Sequence, residues 1–390
     1  MGRFKDSLAQ DGLRAIAEVK RRSPSAGDLR PDADPAALAK AFADNGAAAV
    51  SILVDERFGG CFDDLAAARA ATSIPLLAKG FFDDQGDLLQ ARIAGADAAL
   101  LLLRDLDDEQ AALLLAGGRE LGLDLLVEAH DAGELARAVA LDADIVGINA
   151  RDLSTFAIDR RAQLALVAEA PRDRLIVAES AIGNRAQGAE AELAGADAIL
   201  VGSTLMRAED PGATLAGLVA RPLVKVCGLT REEDVAAAAE AGADLAGFVL
   251  ADSPRRADAP LPVPDTMLSV AVCVGEPVDA GTDLVQLYPE EGGHRARNGV
   301  LLREGEPVAT VRDLPWLGSD ERHWDEAAAV VGRVLLAGGL GPENVRAAIE
   351  AVHPWGVDAS RSLERTPGIK DHDKVRAFVQ AVRDAQAVAA

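Results

Sequence analysis

Short apolar runs alternate with longer stretches of alanine, leucine and charged residues along the whole chain. Such alternation is typical of strand–helix units arranged around a parallel sheet. The first half contains eight candidate strands, and eight is the number that closes a (β/α)8 barrel. These runs cover residues 16–20, 48–54, 75–79, 98–103, 124–128, 144–149, 175–179 and 198–202.

A second series of eight apolar runs begins just after Pro222. It covers residues 223–227, 245–250, 268–274, 284–287, 299–302, 308–313, 334–337 and 356–358. The gap between residues 302 and 308 leaves room for a turn but not for a helix, so one unit of this series is shortened. We therefore predict an α/β chain of two tandem (β/α)8 TIM barrels, residues 1–221 and 222–390, of which the second is shortened.

The phrase Ala-Gly-Ala-Asp recurs at residues 94–97, 194–197 and 241–244, each time before an apolar run. A glycine near the last turn commonly ends a helix. We expect each copy to end a helix and to lead into a strand.

Composition narrows the class of protein. Although 49% of the residues are hydrophobic, no apolar run reaches the roughly 18 to 20 residues that span a bilayer. The first ten residues lack the apolar segment of a secretory signal, so we expect a cytoplasmic protein. The cysteines, Cys61, Cys227 and Cys273, show no metal-ligand spacing, and reduced thiols are expected. A net charge of −23 disfavours nucleic acid and anionic membranes as partners, so local cations must hold any anionic substrate.

Polar residues stand where the predicted strands of the first barrel end. In TIM barrels the carboxyl ends of the strands carry the chemistry. A salt bridge at the rim is the ordinary explanation for any one of these residues, whereas the set indicates a site with an acid and a base. The residues are Glu18, Lys20, Lys79, Glu128, Asn149, Glu179 and Ser180.

The strings that contain them are IAEVKRRSPSAG (16–27), LVEAH (126–130), GINARDL (147–153), VAES (177–180) and VGSTLMR (201–207). In order and spacing they resemble indole-3-glycerol-phosphate synthase, over about the first 220 residues. The resemblance implies ring closure, decarboxylation and dehydration of 1-(2-carboxyphenylamino)-1-deoxyribulose 5-phosphate. It implies neither a cofactor nor a metal.

The same resemblance implies roles for individual residues. Lys79 would be the general acid of ring closure, and Glu128 the carboxylate that assists dehydration. Lys20, with Glu18, would bind the substrate carboxylate and help to expel the hydroxyl. The remaining substrate-binding residues are Asn149, Arg151, Glu179 and Ser180 along the ribulose chain, and Ser23, Gly202 and Ser203 at the phosphate. Two positions differ from the family pattern: Gly80 stands in place of an aspartate and Ala181 in place of a glycine.

The second barrel carries the strings KVCGLTR (225–231), SPR (253–255), VQL (285–287), LLAGGL (335–340) and GIKD (368–371). From about residue 223 onward they resemble phosphoribosylanthranilate isomerase. The resemblance implies an aldose-to-ketose (Amadori) shift, which needs an acid to open the ribose ring and a base to remove the C2 proton.

Cys227 matches the base of that family, although a lone buried cysteine is usually a small hydrophobic residue. Asp313 ends the sixth run and precedes Gly318-Ser319 by five residues, the separation that the isomerase family shows between its acid and the Gly-Ser pair that follows, so the resemblance implies that Asp313 is the acid; an exposed turn aspartate is the alternative. Arg255 would pair with the substrate carboxylate, since a forked guanidinium suits that group. The predicted phosphate site consists of Gly338, Gly339, Asp358 and Ser360. Tyr288 and Arg361 replace the usual histidine and serine.

The two sets of motifs belong to consecutive steps of tryptophan biosynthesis, so they support each other. We predict a bifunctional enzyme, expected to be a monomer, that acts on small phosphorylated derivatives of anthranilate. One alternative is an active synthase barrel with a degenerate isomerase barrel that is retained for packing or ligand binding. Another is a different sugar-phosphate isomerase or aldolase, because the fold alone does not fix the chemistry.

Overall fold

The structure is a computed structural model that describes residues 2–23, 27–151, 157–291, 294–313 and 322–389. The chain forms two compact units, Met1–Val219 and Ala220–Ala390. Each unit contains one closed eight-stranded barrel, so the prediction of two tandem TIM barrels is confirmed.

The first barrel is wholly parallel, with each strand paired to its two neighbours in chain order. Its strands are β1 (Arg14–Val19), β2 (Ala49–Leu53), β3 (Leu76–Lys79), β4 (Ala98–Leu102), β5 (Asp124–Ala129), β6 (Ile145–Asn149), β7 (Leu175–Glu179) and β8 (Ala198–Val201). The strands are buried along almost their whole length, as expected when helices cover the outer face and side chains fill the interior.

Helices cover every crossover of this barrel. After α1 (Arg3–Leu8) they are α2 (Pro35–Asp44), α3 (Phe62–Ala71), α4 (Gln85–Ile93), α5 (Asp108–Glu120), α6 (Ala132–Ala140), α7 (Arg160–Glu169), α8 (Arg185–Ala194), α9 (Ser203–Arg207) and α10 (Pro211–Val219). Helix α1 belongs to the amino-terminal end of the barrel, where Phe4 and Leu8 pack with interior residues such as Leu77 and Leu126. It therefore closes the end opposite the strand carboxyl termini.

The recurring Ala-Gly-Ala-Asp phrase has a common structural role. Its glycines, Gly95, Gly195 and Gly242, have φ of 103°, 117° and 88°, a left-handed conformation that ends a helix. The aspartate that follows accepts a hydrogen bond from the backbone N–H at or beside the start of a neighbouring strand. The three bonds are Leu76 N to Asp97, Ile176 N to Asp197 and Val224 N to Asp244. The phrase thus ends a helix and ties two strand starts together.

The second barrel contains β9 (Leu223–Cys227), β10 (Leu245–Val249), β11 (Leu268–Val274), β12 (Leu284–Tyr288), β13 (Asn298–Arg303), β14 (Glu306–Arg312), β15 (Val334–Leu336) and β16 (Gly356–Ala359). All eight predicted runs form strands. One detail differs from a (β/α)8 pattern, because β13 runs antiparallel to both β12 and β14. A turn at Glu304-Gly305, both with positive φ, joins β13 to β14 as a hairpin.

Helices cover only part of this second barrel. They are α11 (Glu232–Ala241), α12 (Arg322–Ala328), α13 (Val345–Val352) and α14 (His372–Ala389). The segments 250–267 and 275–283, both fully described, contain no helix. Between β12 and β13 the chain forms a short antiparallel pair, Glu290–Glu291 with His294–Arg295. The shortening predicted for one unit therefore extends over several consecutive crossovers.

Candidate active sites

The residues predicted at the strand ends of the first barrel converge on one cavity of about 330 Å³. All eleven line it: Glu18, Lys20, Ser23, Lys79, Glu128, Asn149, Arg151, Glu179, Ser180, Gly202 and Ser203. Apolar side chains also line it, among them Leu53, Phe58, Phe81, Leu102 and Ile182. The cavity can therefore accept a ligand that has both charged and apolar parts.

Lys79 is the centre of the charge cluster in this cavity. Its Nζ lies 3.3 Å from Glu128 Oε2 and also pairs with Glu179 Oε2. Burial would lower the pKa of the Lys79 ammonium, but the carboxylates of Glu179 and Glu128 raise that pKa above its usual value. Lys79 is thus held in its protonated form, as a proton donor must be.

The two carboxyl groups beside Lys79 differ in charge. Burial would raise the pKa of Glu128, but Lys79 and His130 hold it below the usual range. Burial and the neighbouring charge of Glu128 raise the pKa of Glu179 to about 8. The pair shares one lysine, so its proton equilibria are coupled, and at neutral pH Glu128 is the ionised partner. A base and two proton donors therefore stand within one site.

Glu18 and Lys20 form an ion pair beside the loop that follows β8. A Cβ atom at position 202 would lie 2.3 Å from Glu18 Oε1, so only glycine allows this approach. Ser203 then begins α9. Position 202 therefore brings the predicted phosphate turn up to the predicted carboxylate-binding pair.

Ser180 and Ala181 follow β7 with φ of 69° and 57°. This left-handed conformation costs a residue with a Cβ atom roughly 1–2 kcal/mol relative to glycine. Ala181 therefore keeps the turn geometry expected of the family's glycine, at the cost of backbone strain. Both residues line the cavity.

The second barrel contains a larger cavity, of about 870 Å³. The seven residues predicted in this barrel all line it: Cys227, Arg255, Asp313, Gly338, Gly339, Asp358 and Ser360. They come from the ends of β9, β14, β15 and β16 and from the loop after β10. The antiparallel strand β13 contributes none of them.

Cys227 ends β9 beside a buried ion pair. Lys225, two residues earlier and therefore on the same side of the strand, is fully buried, and its Nζ lies 2.8 Å from Asp358 Oδ2. Burial raises the pKa of the Cys227 thiol, and the Lys225 ammonium acts in the opposite direction. Burial is the larger of the two effects, so the pKa of Cys227 is raised and the group rests as a thiol; Lys225 is the cation that would stabilise the thiolate that a base requires.

Asp313 follows β14 and is held by two donors. Its Oδ2 accepts a hydrogen bond from the Tyr288 hydroxyl at 3.1 Å and pairs with Arg295 Nη1 at 2.7 Å. Burial and the charge of Asp313 raise the pKa of Tyr288 well above its usual value, so the phenol keeps its proton. Tyr288, where the family pattern has histidine, thus acts as a hydrogen-bond donor to the predicted acid.

Arg255 lines the cavity, and Glu364 holds its guanidinium in a bidentate pair. Nε lies 2.9 Å from Oε1, and Nη2 lies 2.8 Å from Oε2. Lys370 contacts the same carboxylate at 3.1 Å. These contacts fix the position of Arg255; its pairing with a substrate carboxylate stays a prediction.

Three residues that line the second cavity each carry a buried polar atom without a hydrogen-bond partner among the described residues. They are Gln286 Oε1, Asp358 Oδ1 and Ser360 Oγ. Buried polar groups in folded proteins are nearly always hydrogen-bonded, and exceptions at a cavity suggest that a ligand completes them. The second cavity therefore has the character of a polar binding site.

Sequence reasoning missed His130, Lys225 and Arg295. The first two were readable, because each lies two residues from a predicted site residue on the same strand or its extension, and period two places both on one face. Arg295 carried no such signal, since it comes from the short antiparallel pair after β12. Gly318-Ser319, from which the spacing to Asp313 was counted, lies outside the described residues.

Comparison with known proteins agrees with the division into two barrels. The family model described as "Indole-3-glycerol phosphate synthase" matches residues 2–218. An indole-3-glycerol phosphate synthase of Streptomyces coelicolor is 46% identical over 217 residues, which are 55% of this chain and 84% of the relative. The chain belongs to the indole-3-glycerol phosphate synthase family. A second relative of the same description, from Albidiferax ferrireducens, is 47% identical and covers 56% of this chain and 83% of its own length.

This synthase carries a second domain of another family. The model described as "N-(5'phosphoribosyl)anthranilate (PRA) isomerase" matches residues 321–381. TrpF from Jonesia denitrificans aligns with 42% of this chain and 98% of its own, at 28% identity and a TM-score of 0.34, a value too low to carry a conclusion. The family models and the motifs together identify a bifunctional enzyme of tryptophan biosynthesis. The alternative of a degenerate second barrel is not favoured.

No helix in the described part of this synthase is long and apolar enough to cross a membrane.

Proposed function

We propose that the chain isomerises N-(5-phosphoribosyl)anthranilate in its second barrel and converts the product to indole-3-glycerol phosphate in its first. The observation that supports this most strongly is that every residue assigned from sequence lines one of two cavities. Each cavity supplies the acid and the base that its reaction needs.

In the first cavity, ring closure requires a proton at the carbonyl oxygen while the ring carbon attacks. Lys79 supplies that proton, because its neighbouring carboxylates hold it as an ammonium. Loss of carbon dioxide restores the aromatic ring. The later dehydration needs a donor for the leaving hydroxyl and an acceptor for a proton, and Lys20 and Glu128 take these parts.

The other residues of the first cavity hold the substrate. The Glu18–Lys20 pair, with its cationic end, binds the carboxylate. The ribulose chain lies along Asn149, Arg151, Glu179 and Ser180, and the phosphate at Ser23, Gly202 and Ser203. Short helix starts with a preceding glycine commonly bind phosphate through backbone N–H groups, which supports the last assignment.

In the second cavity, Asp313 protonates the ribose ring oxygen and Cys227 removes the C2 proton of the opened form. The enol formed in this way becomes the ketose when C1 takes up a proton and the C2 hydroxyl loses its own. Arg255 pairs with the substrate carboxylate, and Gly338, Gly339, Asp358 and Ser360 receive the phosphate and hydroxyl groups. The unpartnered Asp358 Oδ1 and Ser360 Oγ support this placement.

The proposal includes a monomer that acts in the cytoplasm on small phosphorylated substrates. The net charge of −23 supports the exclusion of nucleic acid as a partner.

Separate steady-state assays of the two steps on the purified chain test this function. We expect turnover in both. Synthase turnover without isomerase turnover would contradict the bifunctional proposal and return the second barrel to a packing or binding role.

A further inference from the structure

His130 stands between two carboxylates just behind the first cavity. Its Nε2 lies 3.1 Å from Glu128 Oε1, and its Nδ1 lies 3.0 Å from Glu134 Oε2. A neutral imidazole has one N–H, so it can face only one carboxylate with a proton. The geometry therefore favours the imidazolium. The contact with Glu128 is an ion pair and not an aligned hydrogen bond.

Glu134 is built to hold this histidine. Its Oε2 accepts a second hydrogen bond, from the backbone N–H of His130, at 2.8 Å. Glu134 itself is fixed in the first turn of α6, where Asp131 caps its backbone N–H at 2.8 Å. In a capping box, the glutamate side chain at this position accepts a hydrogen bond from the backbone N–H of the N-cap residue. The Glu134 side chain instead accepts from the backbone N–H of His130, one residue before the N-cap, and so holds both the ring and the backbone of His130.

Glu128 shares its lysine with another acid. Three acidic side chains line the cavity, Glu18 from β1, Glu128 from β5 and Glu179 from β7, and Glu179 keeps its proton at neutral pH. Lys20 pairs with Glu18, and Lys79 is shared between the other two. Arg151 and Arg207 also line the cavity, and His130 is the second cation that contacts Glu128 itself. Its partner Oε1 of Glu128 also accepts from Asn149 on β6 at 3.0 Å, so both oxygens of Glu128 are held.

We propose that His130, held by Glu134, is a positioning residue for Glu128: as an imidazolium it keeps Glu128 a carboxylate and fixes how that carboxylate faces the cavity. The inference rests on the proposed function, in which Glu128 assists dehydration. His130 lies behind Glu128 and not among the residues that line the cavity.

The sign of the pH effect follows from these charges. Lys79 and His130 hold the pKa of Glu128 low, so removal of His130 raises it. Glu128 acts as a carboxylate, and kcat/KM of the synthase therefore rises with pH as Glu128 ionises. In His130→Gln this acid limb moves upward by about one pH unit. At pH 7, kcat falls about tenfold because the carboxylate is less well oriented, and KM changes less than threefold.

His130 also links stability to pH. Burial would lower its pKa, but Glu128 and Glu134 raise it to about 9. The stability that the imidazolium contributes is fully present below the unfolded pKa of about 6.5 and is lost as pH rises through about 9. The difference in unfolding free energy between the wild type and His130→Gln should shrink over that range.

The test is a set of synthase pH profiles for the wild type, His130→Gln, His130→Ala, Glu134→Gln and the control Glu109→Gln, an exposed glutamate on α5. Glu134→Gln should shift the limb in the same direction by less, and the control should not shift it. Added imidazole should restore part of kcat in His130→Ala. Urea unfolding of each preparation, followed by circular dichroism, reports whether the first barrel is folded.

An acid limb at the wild-type position in His130→Gln, or a rise in KM at constant kcat, would overturn the positioning role. If the wild type itself lacked synthase turnover, the proposed function would fail instead. If His130→Gln does not fold, the position of the acid limb in Glu134→Gln tests the positioning role instead.

Discussion

Both barrels gather their predicted site residues around one cavity, but they differ in strand direction and in the helices that cover the strands. In the first, eight parallel strands each lead into a helix, and the predicted polar residues come from five strand ends. In the second, the residues that the structure describes form four helices around eight strands, and β13 runs in the opposite direction. Yet its predicted residues still share one cavity.

The difference shows which part of a barrel the chemistry needs. A parallel strand of a TIM barrel delivers residues to the mouth at its carboxyl end. The antiparallel β13 starts at that end, and no predicted site residue lies on it. The shortened crossovers follow strands β10 to β13, and none of these strands carries the predicted acid or base. The shortening therefore leaves Cys227, Asp313 and the phosphate loops in place.

If the two sites are independent, Lys79→Ala should have the largest effect, a strong loss of synthase activity with almost no change in isomerase activity. Loss of the proton donor should lower synthase kcat by about 10³-fold, because general acid catalysis contributes on that order. Isomerase kcat/KM should stay within twofold. Lys40→Ala, at an exposed lysine of the same barrel, is the matched control. A parallel fall in isomerase turnover would break the comparison.

The converse variant, Cys227→Ala, tests whether the second site has its own base. Isomerase kcat should fall by about 10²-fold or more, because general base catalysis contributes on that order. Synthase turnover should be unchanged. Cys273→Ala removes a buried cysteine of the same barrel outside the cavity and should retain isomerase activity. Equal loss in both cysteine variants would indicate a packing role for Cys227.

A smaller effect, on isomerase kcat alone, is expected from Tyr288→Phe in the second barrel. It removes one hydrogen bond to Asp313 but keeps the ring under Arg295. An intramolecular hydrogen bond contributes about 0.5–1.5 kcal/mol, so we expect kcat to fall by about fivefold. The synthase rate measured on the same sample is the control. An unchanged isomerase rate would remove Tyr288 from the site.

The smallest effect concerns strain in the first barrel. Ala181→Gly relieves a left-handed conformation and should raise the free energy of unfolding of that barrel by up to about 1 kcal/mol. Ala186→Gly, in helix α8, should lower it by roughly 0.5–1 kcal/mol. Urea unfolding followed through loss of synthase activity measures both. If both substitutions changed the free energy of unfolding in the same direction, Ala181 would not be strained.

Much of this architecture was predictable from periodicity and spacing. Each of the sixteen predicted runs contains or overlaps a strand, and residues at strand ends such as Lys79 and Cys227 fell where expected, because parallel strands end at one face. The direction of β13 was not predicted. The pattern of hydrophobic residues does not depend on the direction in which a strand runs. The short connection at Glu304-Gly305 does indicate the direction, because so short a turn joins only antiparallel strands.

The partners of the site residues were harder to predict than the residues themselves. The sequence offers Arg255 as a free cation for a substrate, whereas in the fold Glu364, 109 residues away, binds it in a fork. Tyr288 and Arg295 meet Asp313 only because the chain doubles back after β12. Contacts of this kind depend on tertiary placement, which local patterns do not encode.

The independence of the two sites is tested most directly by mixing two variants. Neither Lys79→Ala nor Cys227→Ala alone should convert N-(5-phosphoribosyl)anthranilate to indole-3-glycerol phosphate at an appreciable rate. An equimolar mixture of the two should form it, since each chain then supplies the step that the other lacks. A mixture as inactive as either variant alone would contradict the claim that each barrel holds a complete and separate active site.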